Sequence, residues 1–226
     1  MIISIHQPNY FPWLGYFYKI YKSDIFVMLD DVQFSNEGMH NYHYLKTPQG
    51  SFRLKIPVEY KTGNNINQVN VRDELDWRSK HLKTVESNYK KAPFFNLVYP
   101  DLEELIKNGS KNLTELNADI LLFLCKKFNI ETKFVKSSSL DIHSNREQKV
   151  IDICLALKGT IYYSGSGAKS YQNEENFLLN GLKLEYSSYK IMPYEQLWGE
   201  FVSNISIIDF CMNCGYDFQK VIDFQK

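Results

Sequence analysis

Met1-Ile2-Ile3-Ser4-Ile5-His6-Gln7-Pro8-Asn9-Tyr10 opens the chain, and Ile25-Phe26-Val27-Met28-Leu29-Asp30-Asp31 follows after one intervening segment. The first run is β-branched and stops at Pro8, which predicts a buried strand; the second is a continuous apolar run of strand length. Between them Pro12 precedes Trp13-Leu14-Gly15-Tyr16-Phe17-Tyr18-Lys19-Ile20-Tyr21, whose apolar residues recur at helical spacing. Proline is well tolerated at such a helix start. Strand, loop, helix and strand within about 30 residues predict a βαβ unit with parallel strands. Sheets of this kind bind ligands beyond the carboxyl ends of their strands. Residues 6–10 and 30–34 fall at that edge.

Working outward, Tyr42-His43-Tyr44-Leu45-Lys46 and Phe52-Arg53-Leu54-Lys55-Ile56-Pro57-Val58 flank the turn signal Thr47-Pro48-Gln49-Gly50. They predict a β-hairpin with one wet, positively charged face. Val69-Asn70-Val71 is a further short strand. Helical periodicity takes over at 76–90, 94–108 and 113–128, and returns at 147–157, 175–181 and 206–213. Strands are expected at 133–136, 160–163 and 182–186. The order of elements predicts a single α/β domain spanning 1–226: a Rossmann-like, mostly parallel sheet flanked by helices, with a β-hairpin and a helical insertion at about residues 73–130.

Composition narrows the function classes. Basic and acidic residues balance at 26 each, against the basic excess of a dedicated nucleic-acid binder. No apolar run approaches membrane-spanning length and no signal peptide is recognisable, so a cytoplasmic protein without membrane insertion is expected. Cys211-x-x-Cys214 has the spacing of half a zinc site, but a second pair is missing and buried thiols are the reading for all four cysteines. No metal site is expected, since no His-x-x-x-His pair or Cys/His cluster occurs. A Gly-x-Ser-x-Gly elbow is absent as well.

Three segments could carry chemistry. His6, Gln7, Asn9 and Tyr10 concentrate polar groups in a loop stiffened by Pro8 and Pro12. The plainer reading is a capped strand end. Asp30 and Asp31 close the second strand, where a carboxylate can hold a ribose hydroxyl or a metal ion, or act as a base; a solvated turn is the alternative for one of them. Gln33, Asn41, His43 and Lys46 follow closely. Ser164-Gly165-Ser166-Gly167 with Lys169 and Tyr171 resembles an anion-holding loop with a countercharge, although the Walker spacing is absent and a tight turn is equally compatible. His81 reads as part of a polar helix face.

The blocks at 5–17 (Ile-His-Gln-Pro-Asn-Tyr-Phe-Pro-Trp-Leu-Gly-Tyr-Phe) and 24–35 (Asp-Ile-Phe-Val-Met-Leu-Asp-Asp-Val-Gln-Phe-Ser) resemble the WbqC-like family of polysaccharide biosynthesis proteins. Lys46-Thr47-Pro48-Gln49-Gly50, Ala92-Pro93-Phe94-Phe95, Tyr163-Ser164-Gly165 and Phe201-Val202 continue the likeness nearly end to end. The resemblance implies a role in surface-glycan (O-antigen) assembly, with acyl or glycyl-type aminoacyl transfer to the amine of a nucleotide-linked amino sugar. It implies an activated donor (aminoacyl-tRNA, with tRNA as a transient partner, or an acyl thioester) and no fixed cofactor; a homodimer is left open. Under it His6 is the base and Asp30 its assistant. Lys46, Lys169 and the loop at 164–167 hold phosphates, and Tyr10 and Trp13 stack on a base or sugar. A non-catalytic glycan-binding protein is the competing class. One departure stands out: where the family shows Asn-Arg-x-Arg this chain reads Asn41-Tyr42-His43-Tyr44, leaving His43 and Lys46 to compensate.

Overall fold

The computed structural model describes residues 1–170 and 172–226, so Tyr171 lies outside the described residues. Strand β1 (Ile2–His6), helix α1 (Leu14–Tyr21) and strand β2 (Ile25–Met28) form the expected βαβ unit, with Ile3 opposite Ile25 and His6 opposite Met28 in parallel register. The hairpin follows as β3 (Tyr42–Thr47) and β4 (Gly50–Lys55). Strand β4 is open to solvent along most of its length, with only Leu54 buried, because β3 lies between it and the core. Strands β5 (Val58–Glu59) and β6 (Asn70–Val71) pair with each other in a separate antiparallel ladder.

Three helices come next, α2 (Trp77–Tyr89), α3 (Phe95–Asn108) and α4 (Leu113–Lys127). Asn112 caps α4 by accepting from the Thr114 and Glu115 amides, a standard solution for orphan N–H groups. The chain then supplies β7 (Lys133–Lys136), α5 (Arg146–Ala156), β8 (Ile161–Ser164), α6 (Glu174–Leu179) and β9 (Lys183–Tyr186). Helices α7 (Ile207–Cys214) and α8 (Gln219–Phe224) end it; the latter is not predicted by the periodicity.

Five strands make one parallel sheet in the order β7-β2-β1-β8-β9. Both faces are covered, and β2 shows how. Ile25 and Val27 point into a cluster with Ile151, Cys154 and Phe177, whereas Phe26 and Met28 join the larger cluster containing residues of α1, α2, α3 and α4. A strand buried on both sides has no wet face, hence the unbroken apolar run. All four cysteines are free thiols, and no group of residues suited to a metal ion occurs among those described. No described helix is long and apolar enough to cross a membrane.

Candidate functional site

The chain leaves β1 toward β2 on one side, whereas β8 is followed by β9 on the other. Connections that depart in opposite directions open a crevice at the carboxyl ends of the two central strands, the place where doubly wound sheets bind ligands. Here that crevice is a cleft of about 1110 Å³. One wall is His6, Gln7, Trp13 and Tyr16; the facing wall is Ser164, Gly165, Ser166 and Gly167. Arg146 and Glu147 from the start of α5 border it, and Ser187, Tyr189, Ile191 and Asn204 come from an irregular strap at 187–206.

His6 sits between aromatic edges, its ring centroid 4.6 Å from that of Tyr16 and 6.2 Å from that of Trp13. Its Nδ1 lies 2.9 Å from the Gln7 carbonyl. A carbonyl only accepts, so Nδ1 carries the proton and Nε2 is left with a lone pair. Burial, and secondarily the Lys19 ammonium, push the imidazole pKa down to about 3, so the ring is neutral at pH 7. Trp13 folds back over Gly15: a Cβ there would lie 2.9 Å from the indole Nε1 and 3.0 Å from Tyr189 Cδ1. Glycine is what allows the wall and the strap to close together.

The rest of the loop turns inward and is fastened by its carbonyls. Tyr16 donates to Gln7 O at 2.9 Å, Asn117 Nδ2 to Pro8 O at 3.2 Å and Ser206 Oγ to Phe11 O at 3.0 Å. Phe11 holds φ +41°, an uncommon conformation for a bulky residue that these bonds enforce. Asn117 also donates to His40 O at 2.8 Å. Replacing it with leucine removes a donor from two buried carbonyls and is expected to cost about 1–3 kcal/mol. Urea denaturation measures this; an unchanged midpoint would show that the loop holds its shape without Asn117.

Not every residue singled out in the sequence reaches the cleft. Asn9 and Tyr10 are buried; the Tyr10 hydroxyl meets His81 Nδ1 at 3.2 Å, and its ring stacks on His43 at 4.9 Å. His81 is therefore an interior residue, not part of a polar face, because Tyr10 and the Lys55 carbonyl satisfy both its nitrogens. His43 is buried with neither ring nitrogen hydrogen-bonded among the described residues. Asn41 donates to Ile56 O at 2.9 Å, and Gln33 is exposed in a bridge to Asn65. Lys46 donates to the carbonyls of Gly199 and Glu200, so it fastens the strap. Lys169 is exposed near the cleft, 6.0 Å from the Tyr186 ring centroid.

Asp30 and Asp31 face away from His6, toward the loop that follows β7. Asp30 accepts from Ser137 Oγ at 3.1 Å, Ser138 N at 3.0 Å and Ser138 Oγ at 2.8 Å. Asp31 pairs with Lys149 Nζ at 2.8 Å. Conversely, the cleft contains a residue that sequence reading passes over. Lys19 is 5% exposed, lines the floor and donates to Ile5 O at 2.8 Å. Its signal is compositional: it is the sole charge in the apolar helix Leu14–Tyr21.

Comparison with known proteins agrees with the extent of the resemblance. The model of the WbqC-like protein family matches residues 7–220. An uncharacterized protein of Mycobacterium tuberculosis (strain ATCC 25618 / H37Rv), Rv1507c, is 30% identical over 219 residues, covering 94% of each chain. No solved structure matches. The chain belongs to the WbqC-like protein family.

Proposed function

We propose that this WbqC-like protein is a cytoplasmic transferase of surface-polysaccharide assembly that passes an acyl or aminoacyl group to the amine of a nucleotide-linked amino sugar. The observation that carries this reading is the cleft between β1 and β8, where two loops of different chemistry confront each other. On one side His6 offers a neutral acceptor, Nε2, suited to an amine N–H. On the other, glycine at 165 and 167 answers no demand among the described residues. Neither residue has positive φ, and an added Cβ would meet no described atom within 4 Å. Small residues facing a cleft let a ligand approach the backbone closely. A diphosphate against that loop, with Lys169 nearby, would place the sugar toward His6.

In the reaction the amine nitrogen attacks the acyl carbonyl, a C–N bond forms, and the ester or thioester bond of the donor breaks. The nitrogen sheds a proton, which His6 Nε2 takes and returns to the departing oxygen or sulfur, so the donor leaves as an alcohol or thiol. A ring held near pKa 3 accepts that proton poorly at pH 7. An anionic substrate offsets the Lys19 charge that contributes to the depression, and so raises the basicity of His6 in the loaded site. Asp30 enters this scheme only through the loop it anchors.

The test is incubation with a nucleotide-linked amino sugar and either an aminoacyl-tRNA or an acyl thioester, with the sugar followed by mass spectrometry. The expected product carries one acyl group, and folded His6→Ala loses about a hundredfold or more in turnover. Full activity in that variant would remove His6 from the chemistry. The aromatic edges of Trp13 and Tyr16 around His6 favour a second reading, a non-catalytic protein that holds a glycan intermediate. Tight sugar binding without product from any donor would select it.

A further inference from the structure

Lys19 is a buried amine with an unusual set of neighbours. Its Nζ makes one hydrogen bond, to the carbonyl of Ile5, and no carboxylate pairs with it among the described residues. Lys149 is equally buried but meets Asp31. Burying an ammonium without a counter-ion is costly, and proteins ordinarily neutralise such a charge or pair it. Here burial pushes the Lys19 pKa down to about 7. Lys19 also borders the cleft and is close enough to His6 to act on its imidazole electrostatically. An amine that needs only to stabilise Ile5 O has no reason to border an open cavity.

We propose that Lys19 is the anion subsite of the cleft, taking an oxyanion of the ligand, a phosphate or a carboxylate, as its missing counter-ion. The proposal rests on the cleft being the ligand site, but not on the ligand being a nucleotide sugar. It has a thermodynamic signature. An anion beside Lys19 raises its affinity for a proton, so binding must draw a proton from solution. At pH 8 the free amine is mostly neutral and the uptake approaches one proton per anion. The other titratable side chains lining the cleft are His6 from β1, Tyr16 from α1, Arg146 and Glu147 from α5, Tyr162 from β8 and Tyr189 from the strap. His6 also gains basicity beside an anion, so the uptake is assigned to Lys19 by its loss in Lys19→Arg, which leaves His6 in place.

Calorimetry at pH 8 in two buffers of different ionisation enthalpy reads this directly. Suitable probes are sulfate, acetate and UDP-N-acetylglucosamine, none of which changes its own charge near that pH. The expected result is that at least one of them binds with proton uptake. Lys19→Met should weaken that probe by about tenfold to a hundredfold. Lys19→Arg, which stays charged, should bind without uptake. Absence of uptake with all three probes in the unaltered protein overturns the proposal, as does wild-type affinity in Lys19→Met. Lys19-dependent binding of sulfate or acetate without the nucleotide sugar upholds the subsite and removes the nucleotide-sugar reading. Binding of the nucleotide sugar with no uptake and no dependence on Lys19 does the reverse.

Discussion

Acidification from pH 6.5 to pH 4 is expected to strip several kcal/mol from the stability of this protein, with a steep fall in its urea midpoint. Burial holds the His40 and His81 rings at about pKa 4, below the ordinary 6.5. His43 is pushed well below its ordinary value by burial and by the neighbouring His81. The sign follows from proton counting. Between the two pKa values the unfolded chain binds a proton that the folded protein excludes, so the contribution of these rings is complete above pH 6.5 and is lost as pH falls toward 4. Each of His40 and His81 accounts for about 3 kcal/mol over that window. Together they rival the total stability of a typical domain, about 5–15 kcal/mol. Asp209, whose carboxyl is raised by burial although the hydroxyls of Tyr89 and Tyr194 donate to it and partly offset this, works in the opposite direction and moderates the fall. His40→Gln should flatten the profile by one histidine's share. A midpoint constant between pH 6.5 and 4.5 would refute the interior placement of these rings.

Lys149→Met is the second large effect. Lys149 bridges Asp31 Oδ2 at 2.8 Å and Ile142 O at 3.0 Å, with 7% of its side chain exposed. Removing the cation leaves the Asp31 carboxylate, which is only 18% exposed, with the Ser137 hydroxyl and no counter-charge. Breaking a buried pair by deleting one partner costs about 3–5 kcal/mol, whereas replacing both with apolar groups often restores stability. Asp31→Leu combined with Lys149→Met should therefore be markedly more stable than Lys149→Met alone. A single variant within about 1 kcal/mol of the parent would show that solvent reaches the pair freely.

These two networks also mark where sequence reading succeeds and where it stops. The apolar runs at 2–5 and 25–29, and the helix between them, locate the sheet and its carboxyl edge, so His6 and Gln7 are legible as an edge loop, whereas the partner wall at 164–167 is set by the order of strands β1 and β8. The direction of each side chain along an irregular loop is not encoded in local periodicity. Tyr10, His43 and Lys46 turn inward because Trp77, His81 and the strap are there to receive them, and those partners are distant in sequence. Asp30 and Asp31 likewise belong to the serines after β7, a contact spanning more than a hundred residues. The strap has no repeating pattern, so its wall of the cleft emerges only from tertiary structure. Lys19 is different. One cation in an apolar helix is visible in the sequence, but only its burial beside an open cavity gives it meaning.

A crystal structure of the protein soaked with a nucleotide-linked amino sugar shows whether the crevice between β1 and β8 takes the substrate. Ligand density is expected in the cleft, with the sugar against His6 and the phosphates reaching the loop at 164–167. A cleft free of ligand in a crystal that binds the same molecule elsewhere would contradict that placement.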